Sequence, residues 1–419
     1  MRKIFSILLI LTLLLSLSAG CGASENGTDP ASKTPVTTRQ AQPGETVPGT
    51  SETEPKQIAE ILDKDGKLLA RIDGRANASA ADAGIFYSIF VQGEYEFTAT
   101  AQYRFYRLSD GKDILLGTLE DQGYEAVYAR TEMDGTVYAL ALTGNPFDTS
   151  PDALWLLAFD PVRGTMNKIR VSENASPYAA MTAANGKALV MVHELGAPKR
   201  DLVFEFDAAS GALKEVLSFS SEGSRCESLR GVYADGEKLY LLRLAVEGGN
   251  PEELYLDVYD SAYGKLSERS LRELIFSEEY AGITSPGDEK AELGMIASGF
   301  AVQDGRYLYY ENFGVTRALL DLETGKNLFA RDDSYALSIG GGKKVFYFFD
   351  LGQAEPGQEV QGVYDLKNGT VERTVMTPPD GRTMIRSLSV SPNGTRLIRF
   401  SDRELRDPGT DALVIWTEP

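Results

Sequence analysis

One turn pattern recurs along the chain and constrains its fold more than any other feature. A strand ends in an aromatic or aliphatic residue followed by Asp, and Gly follows that Asp four positions later. The Asp side chain accepts hydrogen bonds from the backbone N–H groups just after it, and Gly supplies the positive φ at the exit of the turn. Copies span residues 159–164, 206–211, 259–264, 320–325 and 364–369, with a sixth at 106–111 in which Arg107 replaces Asp. Six copies predict six hairpins in a repeated array.

A second glycine turn comes before the strongest apolar segments. It is marked by Gly84, Gly135, Gly186, Gly236, Gly305, Gly342 and Gly394, and the differences between these positions are 51, 51, 50, 69, 37 and 52 residues. An apolar strand follows each mark, and several are apolar on both faces, which indicates that they are covered from both sides. Units of about fifty residues, with room for four strands and two alternating turn types, are typical of a propeller blade.

The sequence therefore predicts an all-β fold, a seven-bladed β-propeller over residues 56–419. The chain stops after the apolar segment 412–416, one strand short of a complete last blade. A hairpin predicted at residues 57–72 supplies the missing N-terminal strand, and pairing the two ends of the chain hides sheet edges that would otherwise favour aggregation. The uneven spacings of 69 and 37 residues leave six or eight blades as alternatives.

The last blade carries a recognisable motif. The segment Ser391-Pro392-Asn393-Gly394 resembles the Ser-Pro-Asp-Gly repeat of WD40-like propellers of the TolB type, with Asn393 in the place of Asp. Asn keeps the chemistry of the turn. The resemblance implies a propeller and says little about function, because propellers include both enzymes and scaffolds.

Residues 1–20 are expected to be a signal peptide. Arg2 and Lys3 precede an apolar run at 4–17, and Ser18-Ala19-Gly20-Cys21 follows it. This arrangement resembles a bacterial lipoprotein signal, which implies cleavage before Cys21 and lipidation of its sulfur. An ordinary secretory peptide is the alternative.

Residues 21–55 hardly contain an apolar residue and are expected to be a disordered tether. Together with the lipoprotein-like signal, this predicts an extracytoplasmic protein that is lipid-anchored to the bacterial membrane.

The charge of the chain bears on its partners. With 42 Lys and Arg against 61 Asp and Glu, its formal net charge is −19. Such a surface repels nucleic acid and anionic headgroups. We therefore expect no nucleic-acid partner, membrane contact through the lipid on Cys21 alone, and an unidentified protein or small molecule as ligand.

Candidate catalytic residues are few. His193 is the only histidine and ends an apolar strand, so we expect a structural role; a multi-histidine metal site is excluded. No Gly-x-Ser-x-Gly elbow is present. Asp63 to Gly66 is expected to be a plain turn, and the charged residues between 402 and 411 a solvated loop, with a cation site as the alternative in each case. Neither a metal nor a cofactor is predicted, and the catalytic residues, if any, are unknown.

Two further segments stand out from the repeat. The tyrosines at 307, 309 and 310, with Phe313, form an aromatic segment that suits either sugar binding or packing between blades, and packing is expected. Residues 271–280 have the apolar spacing of a short helix, in an insertion that is either functional or simply tolerated.

The sequence favours a binding protein over an enzyme. The predicted function is a membrane-anchored lipoprotein whose propeller binds a protein or ligand without catalysis. The alternative is a cell-envelope lyase or glycan-active hydrolase that uses carboxylates at the mouth of the propeller. Two carboxylates converging in a central funnel would favour the enzyme.

Overall fold

The structure is a computed structural model in which strands begin and end where the two turn patterns predict. It describes residues 58–73, 76–92, 99–121, 126–143, 152–176, 179–195, 198–221, 223–275, 296–303, 305–312, 316–328, 334–340, 344–349, 358–379, 384–401 and 411–417. Within these residues the fold is almost entirely β, as the sequence predicts.

Within the described residues the strands form seven consecutive groups, antiparallel except for one parallel pair in group 7. Group 1 is β3 (Ala76–Ala81), β4 (Gly84–Gln92), β5 (Ala99–Arg107) and β6 (Lys112–Asp121). Group 2 is β7 (Ala126–Met133), β8 (Thr136–Thr143), β9 (Asp152–Asp160) and β10 (Thr165–Ala175). Group 3 is β11 (Ala180–Ala184), β12 (Lys187–Glu194), β13 (Arg200–Asp207) and β14 (Ala212–Ser220). A single pair, Ala175 with Glu194, joins groups 2 and 3 into one sheet.

The remaining groups follow the same order. Group 4 is β15 (Arg225–Asp235), β16 (Lys238–Glu247), β17 (Asn250–Tyr259) and β18 (Lys265–Ser270). Group 5 is β19 (Ile296–Gln303), β20 (Tyr307–Asn312), β21 (Thr316–Asp321) and β22 (Lys326–Asn327). Group 6 is β23 (Ser334–Gly340), β24 (Lys344–Phe349), β25 (Glu359–Asp365) and β26 (Thr370–Met376). Between groups 4 and 5 lies α1 (Arg272–Ile275), which falls within the helix predicted at 271–280; residues 276–280 lie outside the described ones.

Group 7 contains both ends of the described chain. Its strands are β27 (Met384–Val390), β28 (Arg396–Ser401) and β29 (Asp411–Trp416), with the hairpin β1 (Ile58–Leu62) and β2 (Leu68–Asp73) beside them. Strand β1 pairs in parallel with β29, so that Ala59 lies opposite Asp411. The hairpin predicted at residues 57–72 is thus present at 58–73, and its first strand pairs with the last strand of the chain.

The core lies between consecutive groups. Phe86 and Tyr103 of group 1 pack against Phe159 of group 2, with ring centroids 4.7 and 5.0 Å from that of Phe159. Clusters of the same kind join each further group to the next, and one cluster joins group 7 to group 1 through Leu397 and Ile85. The strands after the second glycine turn are buried on both faces because each is central in its own group and covered by both neighbouring groups.

The first turn pattern forms as predicted in most copies. Asp207 Oδ1 accepts hydrogen bonds from the backbone nitrogens of Ala209 and Ser210 at 2.9 and 2.8 Å, and Gly211 has φ of 70°. The equivalent glycines of four other copies, at 111, 164, 325 and 369, also have positive φ.

One copy corrects the prediction. At 259–264 the residue with positive φ is Tyr263, at 66°, and not Gly264. Asp260 Oδ1 accepts from the Gly264 nitrogen at 2.8 Å, and a Cβ on Gly264 would lie 3.0 Å from Asp260 Oδ2. This glycine is therefore needed for close approach, while the Tyr263 hydroxyl, bonded to Glu205, holds the left-handed residue in place.

No helix within the described residues is long and apolar enough to cross a membrane.

Candidate functional site

The first strands of five groups surround a cavity of about 450 Å³, here called the first-strand cavity. These strands, β3, β7, β11, β15 and β27, come just before the second glycine turns. The lining residues are Ser79, Ala80, Arg130, Thr131, Glu132, Val137, Met181, Thr182, Ala183, Val232, Tyr233, Ala234, Ser389, Val390, Ser391 and Pro392. Most are small or carry a hydroxyl group, in contrast to the large apolar residues of the second strands.

Hydrogen bonds from neighbouring groups hold the cavity wall together. The backbone N–H of Ala234 donates to Thr182 Oγ1 at 3.1 Å, and that of Ala80 donates to Ser389 Oγ at 3.1 Å. The N–H of Asp82 donates to Glu132 Oε2 at 2.8 Å. In each case a side chain on one first strand accepts from the backbone of the next or preceding group, so the wall is cross-linked by polar contacts.

The turns at the rim are linked in the same way. The Asn393 backbone N–H donates to Asp82 Oδ1 at 2.9 Å, and Asn393 Nδ2 lies 3.3 Å from the Asp82 carbonyl oxygen. Asn185 Nδ2 donates to the Gly236 carbonyl oxygen at 2.7 Å. The contact between Asn393 and Asp82 joins group 7 to group 1, and the two residues are 311 positions apart in the chain.

Glu132 brings a carboxyl group with a strongly shifted pKa to the cavity wall. Burial raises its pKa to about 7; the nearby charge of Asp82 raises it further, while the hydrogen bond from the Asp82 N–H opposes the shift. The carboxyl is therefore partly protonated at neutral pH. A carboxyl poised near pH 7 is able to donate or accept a proton under physiological conditions.

Arg130 carries the positive charge of the cavity. Burial lowers its pKa to about 10, which leaves it cationic at neutral pH. Its guanidinium carbon lies 5.2 Å from the centroid of the Phe86 ring, within the range of a cation–π contact. The hydroxyl of Tyr233, also on the wall, has its pKa raised to about 12 by burial and stays protonated.

Among the described residues that line the cavity, Glu132 is the one carboxylic acid. Asp82 approaches it from the rim, but its carboxylate already accepts the Asn393 N–H. The arrangement thus offers one proton-transfer group rather than the pair that glycoside hydrolysis ordinarily uses. Across the described part of the chain, no three His, Cys, Asp or Glu side chains are grouped to hold a metal ion.

His193 lies outside this cavity. Its Nδ1 is 2.8 Å from Asp201 Oδ1, and Asp201, which is buried, accepts the Leu229 N–H on its other oxygen at 2.6 Å. Burial tends to raise the pKa of Asp201, but the His193 ring and the hydrogen bonds outweigh it and hold that pKa below its usual value. Asp201 therefore links groups 3 and 4, and His193 contacts it from within group 3.

Other segments singled out in the sequence fall in different places. Asp63 to Gly66 forms the expected turn, with Asp63 Oδ1 accepting from the nitrogens of Asp65 and Lys67. Tyr309 is buried and packs with Leu319 between groups 5 and 6. Cys21 and residues 402–410 lie outside the described residues, as do Phe313 and Gly342.

Sequence reasoning missed Arg130 and Glu132. A signal was present, since both residues lie in the polar stretch just before the Asp134-Gly135 turn. The prediction concentrated on the apolar strands after the turns, which form the core. In five of the groups the strand before the turn faces the cavity instead.

Comparison with known proteins finds likeness in structure only. No protein-family model matches the chain, and a search of curated proteins finds no match. The β-propeller domain of the Trilobed protease from Pyrococcus furiosus is 12% identical, with 82% of this chain and 96% of that chain covered and a TM-score of 0.48. A candidate 6-phosphogluconolactonase from Bacteroides fragilis is 16% identical, with 81% and 100% covered and a TM-score of 0.44.

A third similar structure covers less of the chain. The apocarotenoid oxygenase of Synechocystis is 13% identical over 50% of this chain and 54% of its own, with a TM-score of 0.33. These similar structures thus include a β-propeller domain. All three TM-scores are below 0.5, so the likenesses carry no conclusion about activity, and the fold described above rests on strand pairing and packing.

Proposed function

We propose that residues 56–419 form a closed seven-bladed β-propeller, with the seven groups as blades. Two observations support the ring: an apolar cluster lies between each group and the next, and group 7 packs against group 1. The rim contact of Asn393 with Asp82 joins the same two groups. In this arrangement the first strands are innermost, and the first-strand cavity is the mouth of the central channel.

The propeller belongs to an extracytoplasmic lipoprotein anchored through Cys21, with residues 21–55 as its tether. The lipoprotein-like signal over residues 1–20 supports this proposal. Cys21→Ala tests it. The variant is expected in the soluble fraction after cell lysis and fails to incorporate labelled palmitate, while the wild type stays with the membrane. Labelling of the variant, or its retention on membranes, would refute the anchor.

The first-strand cavity binds a small polar ligand without catalysis. The observation that carries this proposal is a volume of about 450 Å³, within the range of roughly 300–1,000 Å³ usual for small-molecule sites, lined by convergent polar groups. A rigid, cross-linked wall suits binding because little order is lost when a ligand enters.

A cavity-filling variant tests the binding function. Ala183→Trp places an indole in the cavity, and Ala209→Trp, in an exposed turn of the same group, is the matched control. We expect polar small molecules that raise the melting temperature of the wild type and of the control to leave Ala183→Trp unchanged. Equal shifts in all three proteins would place binding elsewhere, and no shift with any polar compound would refute the proposed function.

An envelope enzyme acting on glycans is the second candidate. The pKa of Glu132, near 7 in a cavity, favours it, because this is where a general acid or base works best. The test is turnover of cell-envelope polysaccharides by wild type and Glu132→Gln. Turnover that falls by about 100-fold or more in the variant would establish the enzyme, since positioned acid–base groups contribute about 10²–10⁴.

A further inference from the structure

Two hydroxyl side chains on the wall of the first-strand cavity are without a partner in the described part of the protein. Ser79 on β3 and Thr131 on β7 line the cavity and are half-buried. Neither side chain makes a hydrogen bond to any other described residue. Neither oxygen is sealed in the core, so both are within reach of a molecule in the cavity. Their capacity to donate and to accept is therefore unused by the fold.

Three further side chains of the wall use only part of their hydrogen-bonding capacity. Thr182 Oγ1 and Ser389 Oγ each accept one backbone N–H, and neither O–H has an acceptor among the described residues. Glu132 accepts the Asp82 N–H on Oε2, and within the described chain no hydrogen bond reaches its Oε1. A hydroxyl both donates and accepts, whereas an ionised carboxyl only accepts. The wall thus offers donors and acceptors together, from strands of four groups.

The ligand that matches such a wall must also donate and accept. An alcohol hydroxyl does both at one atom, and several on one ring suit partners that are spread over four strands. Charge narrows the choice further. An anion would meet Glu132 on the wall and Asp82 at the rim, and a cation would meet Arg130. A neutral compound avoids both repulsions.

We propose that the first-strand cavity binds a neutral polyhydroxylated ring, a monosaccharide or a cyclic polyol. Its hydroxyls bond to Ser79, Thr131, Thr182, Ser389 and Glu132. This inference rests on the proposed binding function. The volume of about 450 Å³ lies in the lower half of the range usual for small-molecule sites, which favours one ring over a chain of sugars. The cross-strand bonds of Thr182 and Ser389 hold their hydroxyls in place before the ligand enters.

The first measurement is calorimetry at pH 7 with glucose, galactose and inositol as neutral probes. The uronic acids and amino sugars of the two hexoses are their charged relatives, and cyclohexanol is the ring with a single hydroxyl. We expect at least one neutral probe to bind about 10-fold or more tightly than its charged or less hydroxylated relatives, because these lose hydrogen bonds or meet a like charge.

Two variants remove the hydroxyls that the fold does not use. Ser79→Ala and Thr131→Val break no hydrogen bond between described residues, so the melting temperature without ligand should change little. Each should weaken binding of the neutral probe by about 2- to 10-fold, whereas Thr131→Ser keeps the hydroxyl and should bind like the wild type. Thr370→Val, on the exposed strand β26, is the matched control and should leave binding unchanged.

The proposal is overturned if none of the three neutral probes binds, or if a charged relative binds as tightly. It is also overturned if Ser79→Ala and Thr131→Val both bind like the wild type, or if the neutral probes bind Ala183→Trp as well as they bind the wild type. Other polar compounds that bind the wild type but not Ala183→Trp, in the absence of binding by any neutral probe, would overturn the polyhydroxylated class alone and leave the proposed binding function standing.

Discussion

Replacing Glu132 by Gln should stabilise the protein in alkaline solution and leave it nearly unchanged in acid. Burial raises the pKa of this carboxyl from an ordinary value of 4.5 to about 7. The folded state therefore binds the proton more tightly than the unfolded chain. The stabilisation from that proton is fully present below about pH 4.5 and is lost as the pH rises through 7.

The size of the effect follows from the same two values. At 1.36 kcal/mol for each pH unit, the difference corresponds to at most about 3 kcal/mol. Glu132 keeps part of its surface in solvent, which screens the charge, so about 1–2 kcal/mol is a better expectation. Gln cannot ionise, and its carbonyl oxygen is able to accept the Asp82 N–H as the carboxyl does.

Urea unfolding at pH 4 and pH 8 measures this prediction. The free energy of unfolding of Glu132→Gln should match the wild type at pH 4 and exceed it by about 1–2 kcal/mol at pH 8. Glu237→Gln, on an exposed turn of group 4, is the control and should change neither value. A variant that is less stable than the wild type at pH 8 would refute the reasoning, because it would mean that the ionised carboxylate is favourable where it lies.

Four further variants test the packing that positions the cavity. Asp201→Asn should cost about 2–3 kcal/mol at neutral pH, because a buried hydrogen-bonded charge is lost. Since the pKa of this Asp is held below its usual value, the cost should stay in full down to the ordinary Asp range and shrink only at lower pH, as urea unfolding at pH 7 and at about pH 2 would show. In thermal unfolding, Gly84→Ala should cost about 3 kcal/mol or more, because its Cβ would lie 2.0 Å from a backbone oxygen of the neighbouring strand. Gly135→Ala should cost only about 1–2 kcal/mol, because this position has a φ of 74° but open space around its Cα. Asp82→Ala should speed hydrogen exchange at the Asn393 amide, because the carboxylate that accepts this N–H is removed.

Each of these expectations has a contrary outcome. An acid-independent cost for Asp201→Asn would place the effect in packing rather than charge. If Gly84→Ala and Gly135→Ala lost similar stability, backbone conformation rather than the close contact of the added Cβ would determine the cost at both positions. Unchanged exchange at Asn393 would argue against the contact between groups 1 and 7.

Three features could be predicted from the sequence because their causes are local. They are the all-β class, the hairpins, and the pairing of the N-terminal hairpin with the last strand. An Asp side chain such as Asp207 reaches only the next few backbone nitrogens, and Gly211 takes its φ from the turn itself. The strands that follow the second glycine turns can be recognised in the sequence because they are almost wholly apolar. The blade number stays a prediction from the spacing of these turns.

The candidate site depended on tertiary structure because its properties arise between groups. Glu132 and Asp82 are 50 residues apart, and nothing near Glu132 in the sequence shows that its carboxyl is buried beside that turn. Thr182 meets Ala234 only because groups 3 and 4 are neighbours. Composition and turn chemistry thus decided where the strands lie, whereas the packing of first strands against one another decided which polar residues face the cavity, since burial and pKa depend on atoms brought from other groups.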